Sequence, residues 1–324
     1  MKQPQFWFLE HSIRSKLLAP LALIWQTQTR KRVKRLGHKL SIPVICVGNI
    51  NLGGTGKTPT AIYLIENLTA KGLKPYLVML GYKGSHIEAT LVTDAHTAKE
   101  VGDEAILMSS FAPVIVSKNR AEGGKLAQKL GADIVVMDDG FQNPSLAKDY
   151  SIVVVDSDIG FGNGLVCPSG PLRETLDDAK KRADAYLLIG EGRKRDELLN
   201  QIGHGSVIVE ADLAPIEMGM NWQDKPVVAF AGIGRPEKFF NTLKGLGVDM
   251  VASHEFDDHQ EISLTIMQRM EKEAWEKQAQ LVTTEKDAAR LPSYWQGLVL
   301  SLPVRLRIKN GDLLSDILKK IALK

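Results

Sequence analysis

From residue 42 onward, short aliphatic and β-branched runs alternate with longer stretches whose apolar residues recur every three to four positions. The runs 42–47, 75–80, 113–117, 134–137, 151–155 and 185–189 have strand length and read as buried strands. Stretches 58–70, 100–109 and 120–130 have helical periodicity. This alternation predicts an α/β fold in which a parallel sheet carries helices on both faces. A second series (227–231, 236–246, 249–253, 263–278, 280–283 and 298–305) predicts a smaller α/β unit. The polar stretch around 210–225 is the expected junction, giving domains 1–215 and 216–324. The chain contains no internal repeat and no low-complexity tract.

The first forty residues follow a different pattern. Phe6, Leu9, Ile13, Leu17, Leu21 and Ile24 form a helical stripe, with Trp7 and Trp25 near its ends. The longest apolar run, 17–25, contains Pro20 and falls far short of the about 20 residues a spanning helix needs. Arg14 and Lys16 before an apolar stretch resemble a signal peptide, but strongly basic residues follow and no small-x-small cleavage site does.

Charge sharpens this picture. Residues 1–39 carry nine basic residues and one acid, so the arm is +8 while the rest of the chain is −5. A basic arm on an acidic body points to an anionic partner. Three readings follow: an N-terminal helix packed on the body with a solvated basic tail, in-plane contact with a membrane surface, or nucleic-acid binding. The length of 324 residues suits about two domains. Two cysteines, Cys46 and Cys167, exclude a disulfide framework and fit a reducing compartment.

The clearest chemical signal is Asn51-Leu52-Gly53-Gly54-Thr55-Gly56-Lys57-Thr58, which lies between an apolar strand and an amphipathic helix. Glycines let backbone N–H groups turn onto a polyphosphate, and the helix N-terminus adds positive potential. Lys57 is placed to reach the β- and γ-phosphates, and the Thr58 hydroxyl to ligate Mg²⁺. Pro59 suits the start of that helix. The common phosphate-loop pattern has Gly where this chain has Asn51. Residues 134–139 form an apolar strand ending in Asp138 and Asp139, the way a Walker B strand delivers an acid to Mg²⁺. No guanine-specific N-K-x-D run is present, so ATP is the expected nucleotide. Partition-type ATPases have Lys where Leu52 stands, which argues against a dimerising nucleotide switch.

Other constellations keep two readings each. Gly102-Asp103-Glu104 opens a helix, as an acidic N-terminus or as a general base. His254 and His259 are five residues apart, too far round a helix to share a metal, so a loop presenting Asp258 and His259 fits better. The run 167–174 ends in Arg173-Glu174, either a turn with a surface ion pair or a phosphate-binding loop. Gly232-Ile233-Gly234 is a tight strand-to-helix turn or a loop over nucleotide.

Taken in order, several segments resemble the tetraacyldisaccharide 4′-kinases of lipid A biosynthesis. They are 47–59, 102–104, Asp138-Asp139-Gly140-Phe141-Gln142, Gly170-Pro171-Leu172-Arg173-Glu174, 232–234, Asp258-His259 and Thr284-Glu285-Lys286-Asp287, together with Phe6-Trp7 and Leu18-Ala19-Pro20-Leu21 of the arm. The resemblance implies a P-loop NTPase-type kinase domain, a smaller second domain and an amphipathic entry helix. It implies transfer of the γ-phosphate of ATP to the 4′-hydroxyl of tetraacyldisaccharide 1-phosphate, giving lipid IVA, at the cytoplasmic face of the bacterial inner membrane. By position it implies ATP contacts from residues 51–58, Mg²⁺ at Thr58 and Asp138, and catalytic roles for Lys57, Asp139 and Asp103, the last assisted by His259. Glu104, Gln142, Arg173 and Glu174 match positions near the acceptor. Asn143 stands where the family commonly has His, and Asn cannot exchange protons near neutral pH. The expected partners are the lipid acceptor and an anionic membrane surface, with no nucleic acid, and the chain is expected to act as a monomer. The alternative is a P-loop switch or metallochaperone ATPase, whose output is conformational.

Overall fold

A computed structural model of the chain describes residues 3–322 apart from Lys83, His204, Met218, His259 and Glu261. After a 3₁₀ turn at Gln5–Phe8, the order is α1 Ile13–Val33, β1 Val44–Gly48, α2 Lys57–Ala70, β2 Pro75–Met79, β3 Thr90–Leu91, α3 Ala98–Val101 and α4 Asp103–Ser109. Then come β4 Val114–Val116, α5 Arg120–Lys129, β5 Ile134–Asp138, β6 Tyr150–Asp156, α6 Leu176–Lys180, β7 Ala185–Ile189, α7 Arg195–Ile202 and β8 Val207–Pro215. The remainder is β9 Pro226–Ala231, α8 Pro236–Gly245, β10 Asp249–Glu255, α9 Leu264–Glu276, β11 Gln280–Thr284, α10 Glu285–Ala288, α11 Ser293–Gln296, β12 Leu300–Leu302, β13 Val304–Asn310 and α12 Leu313–Ala322.

Two compact units result. The larger comprises Gln3–Leu213 and the chain from Leu306 onward, the smaller Ala214–Arg305. The larger has a nine-stranded sheet in the order β13-β8-β7-β6-β1-β5-β2-β4-β3. From β8 through to β4 its strands pair in parallel, and β3 closes the edge antiparallel to β4. The central strands are buried on both faces. Ile45 and Val47 of β1 pack with Leu64, Ile65 and Leu68 of α2, while Val44 and Cys46 face Phe141, Leu146 and Leu188. That two-sided burial is why these strands read as unbroken apolar runs in the sequence. The smaller unit is a four-stranded parallel sheet, β10-β9-β11-β12, with Phe239, Phe240 and Leu243 of α8 on one face and Met267 and Met270 of α9 on the other.

Three expectations change. The second domain was expected to run to residue 324, but the chain from Leu306 groups with the larger unit. The cause is packing, since Leu306, Leu313 and Ile317 are buried in the large core. The single strand expected over 298–305 is two strands, β12 and β13, interrupted at Pro303. The helix expected over 100–109 is α3 and α4, broken at Gly102, whose φ of +91° suits glycine and whose Cβ would stand 2.7 Å from the Tyr82 carbonyl oxygen.

The N-terminal helix also turns out differently from a packed amphipath. The face of α1 that meets the body is small and polar, with Ser15, Ala22 and Thr29 buried. The apolar residues face outward: Ile13, Leu17, Leu21, Leu23 and Ile24 are all more than half exposed. Half of the basic residues of 30–39 lie on the helix itself, with Arg30, Lys31 and Arg32 in its last turn. Among the described residues, no helix is long and apolar enough to cross a membrane.

Candidate active site

The site forms where β1 and β5 end side by side. Their register pairs Val47 with Asp138, so the aspartates emerge beside the first turn of the loop that follows β1. Sheets of this kind present ligand sites outside the carboxyl ends of their strands. In that loop Gly53 and Gly56 have φ of +112° and +96°. Gly56 is the N-cap of α2, and a Cβ there would stand 2.4 Å from Ile189 Cδ1. The Asn49 amide pins the loop from within, donating to the Gly53 carbonyl and to Thr55 Oγ1, each at 3.1 Å. Asn51, at the position where the common motif has Gly, is buried and donates to the Gly160 carbonyl at 2.9 Å. Its side chain therefore anchors the loop to the body.

The run 170–174 lies directly against this loop. The Leu52 N–H donates to the Pro171 carbonyl and the Arg173 N–H to the Ile50 carbonyl, each at 2.7 Å, in an antiparallel bridge. That pairing delivers the Arg173 side chain to Asp139. The guanidinium donates from Nη1 to Oδ1 at 2.8 Å and from Nη2 to Oδ2 at 3.3 Å, a two-pronged contact. Lys57 Nζ stands 3.7 Å from the same Asp139 Oδ1. Asp139 itself has φ of +46°, an uncommon backbone state for a residue with a side chain.

The two aspartates have opposite electrostatics. Burial alone would raise Asp139, but Lys57 and Arg173 outweigh it and hold the carboxyl below its ordinary range. Asp138 is driven the other way, to about 7, by burial and then by the neighbouring Glu104 and Asp139 carboxylates. Its Oδ1 is buried with no hydrogen-bond partner. Glu104 stands at the start of α4, where Asp103 Oδ1 accepts the Glu104 N–H at 3.0 Å.

Gln142 and Glu174 were expected near the acceptor, and both are buried under the loops. Gln142 Nε2 donates to the Asn49 carbonyl at 2.8 Å and to Glu174 Oε1 at 2.9 Å, and its own oxygen accepts from Arg173 at 3.4 Å. Glu174 is also ion-paired with Arg182. The pair links the β1 end, the 139–142 turn and the 170–174 run, so they support Arg173 from beneath. Two arginines that sequence reasoning missed complete this scaffold. Arg120 is buried and donates to the Asp138 carbonyl at 2.8 Å. Arg182 donates to the Phe141 carbonyl at 2.9 Å and stacks over its ring at 4.3 Å. Neither sits in a recognisable motif, so only the fold reveals them.

In the smaller unit, Asp258 pairs with Lys286 at 3.3 Å. His259 lies outside the described residues. His254 bonds Glu273 at 2.8 Å, and among the described residues no cluster of three His, Cys, Asp or Glu side chains is arranged to hold a metal. The 284–287 run is a folding element: Asp287 is buried, accepts the Gly232 N–H at 3.0 Å and the Thr284 hydroxyl at 2.7 Å, and pairs with Arg290. It thereby ties the Gly232-Ile233-Gly234 turn to the sheet.

Comparison with known proteins settles the lineage. Residues 14–322 match the family model described as tetraacyldisaccharide-1-P 4′-kinase. The chain belongs to this family. The kinase is 45% identical over 327 residues to the tetraacyldisaccharide 4′-kinase of Jannaschia sp. (strain CCS1), with 99% of each chain covered. It is 42% identical to that of Paramagnetospirillum magneticum over the full length of both. Its fold matches a crystal structure of LpxK from Aquifex aeolicus in complex with ATP, at TM-score 0.76 and 26% identity, covering 96% of this chain and 99% of that one. The kinase is therefore a phosphotransferase, the ATP-dependent 4′-kinase of lipid A biosynthesis.

Proposed function

We propose that the γ-phosphate of ATP is transferred at the point where Lys57, Asp139 and Arg173 meet. The observation that carries this is the two-pronged Arg173–Asp139 pair with Lys57 Nζ 3.7 Å away, two cations converging on one carboxylate beside a glycine loop. In this reading the loop N–H groups and the α2 N-terminus hold the β- and γ-phosphates of ATP. Lys57 and Arg173 offset charge developing on the phosphoryl oxygens, with Asp139 keeping both in position until the nucleotide arrives. Asp103 takes the proton of the 4′-hydroxyl. Glu104, Gln142 and Glu174 act one step removed from the acceptor, by shaping Asp138 and Arg173.

The donor set suits Mg²⁺. Asp138 offers a buried carboxylate oxygen with no hydrogen-bond partner, Glu104 supplies further negative charge, and the Thr58 hydroxyl opens α2. A site with so few protein oxygens is normal for Mg²⁺, which keeps waters and substrate phosphates as its other ligands. Thr58 and Asp138 would hold it, and bound there it would neutralise phosphate charge.

The outward apolar face of α1 and its basic last turn support peripheral attachment to an anionic membrane, where the lipid acceptor resides. Leu52 in place of a dimer-acting Lys supports action as a monomer. The test of the site is Arg173→Lys, which keeps the charge but loses the fork. Labelled phosphate transfer from ATP to the tetraacyldisaccharide 1-phosphate should fall about 100-fold. Transfer within two-fold of wild type, on the order of experimental scatter, would remove Arg173 from the mechanism.

A further inference from the structure

Trp25 lies on the outward-facing helix α1 among exposed apolar neighbours, yet its indole N–H is engaged inward. It donates to the backbone carbonyl of Arg173 at 3.0 Å. The Arg173 N–H is already bound to the Ile50 carbonyl at the base of the phosphate loop. Both backbone polar groups of Arg173 are therefore held, one by the phosphate loop and the other by α1, while its side chain grips Asp139. A second contact from α1 lies just beyond. Arg30 Nε donates to Asp178 Oδ2 at 2.5 Å, and Asp178 in turn forms the N-cap hydrogen bonds of α6 with Thr175. The segment 173–178 is thus clamped to α1 at both ends, and Glu174 between them is fixed to the core by Gln142 and Arg182.

A two-pronged guanidinium–carboxylate contact tolerates little displacement, because hydrogen bonds weaken steeply with distance and angle. Small misplacements of groups that position a reacting phosphate are costly to turnover. We propose that Trp25 is a positioning residue for phosphoryl transfer: its indole N–H fixes the Arg173 peptide and, through it, the guanidinium on Asp139. The helix that faces the lipid thereby contributes to the chemical step as well as to surface contact. This rests on the reading of Arg173 and Asp139 given above.

Trp25→Phe tests it, since the ring and its apolar surface stay while the N–H donor goes. In mixed micelles with saturating lipid and ATP, kcat should fall about three- to ten-fold, the scale of one ordinary hydrogen bond. The KM for ATP and sedimentation with phosphatidylglycerol–phosphatidylethanolamine vesicles should stay at wild-type values. In an Arg173→Lys background, the same substitution should have no further effect, because the group it positions has already lost its fork. Full activity of Trp25→Phe beside an impaired Arg173→Lys would overturn the Trp25 proposal alone. Full activity of both would overturn the reading of the site. Weakened vesicle binding at unchanged kcat, or equal losses in both backgrounds, would make Trp25 only an anchor or a packing residue.

Discussion

The buried Asp138 carboxylate makes a stability prediction that is separate from activity. In the folded chain its pKa is pushed up to about 7, against an ordinary 3.8, by burial and by Glu104 and Asp139. A raised acid binds its proton more tightly in the folded state. Between pH 4 and 7 the folded chain therefore holds a proton that the unfolded chain has lost, and stability falls as pH rises through that window. Above pH 7 both states are ionised and the full penalty remains. Each pH unit inside the window is worth about 1.4 kcal/mol, so moving from pH 5 to pH 8 costs about 3 kcal/mol at this one residue. Asp138→Asn has no charge to bury and escapes that cost. Urea unfolding of the nucleotide-free protein at both pH values should show the variant gaining on wild type as pH rises, by up to that amount. Comparing the two chains cancels the histidines, which titrate in both. The same variant should be nearly inactive in transfer, so the expected outcome is a more stable, dead enzyme at pH 8. A gap between variant and wild type that changes by less than about 1 kcal/mol over this range, or one that closes with rising pH, would mean that Asp138 carries no such burial penalty.

Two further outcomes follow from the same geometry. Asp103→Asn removes the proposed proton acceptor at the start of α4, and kcat should drop about 100-fold or more with an unchanged thermal transition; near-normal turnover would leave the base unassigned. Leu17→Asp with Leu21→Asp places charge on the exposed face of α1, and losing two leucines that would insert into the membrane should weaken vesicle binding roughly 100-fold while nucleotide affinity, followed with a fluorescent ATP analogue, stays the same.

The sequence announces the parts of this enzyme whose chemistry is local. β7 has the limits that its apolar run predicts, and β1, β2 and β5 lie within two residues of theirs, because a strand buried on both faces has to be continuously apolar. The glycine loop and the two aspartates are legible for a similar reason, since each is a short contiguous run of distinctive residues. The rest depends on contacts distant in sequence. Arg120 reaches the Asp138 carbonyl across 18 residues, and Gln142 meets Glu174 across 32. The return of the chain after Leu306 to the large sheet is likewise a packing outcome, as α12 carries an ordinary amphipathic pattern that either unit could have buried. The stripe on α1 was visible, but its direction was not. Ser15, Ala22 and Thr29 let the helix lie close to the body, leaving the larger apolar residues outside.

Whether the Lys57 loop and the Asp139–Arg173 pair form a phosphate-transfer site for a lipid acceptor is decided by isotope transfer. The purified chain is incubated with γ-labelled ATP, Mg²⁺ and tetraacyldisaccharide 1-phosphate in detergent micelles. Label should enter the lipid with the wild-type chain and be absent with a folded Lys57→Ala variant. ATP hydrolysis without labelled lipid, or undiminished labelling by Lys57→Ala, would exclude such a site.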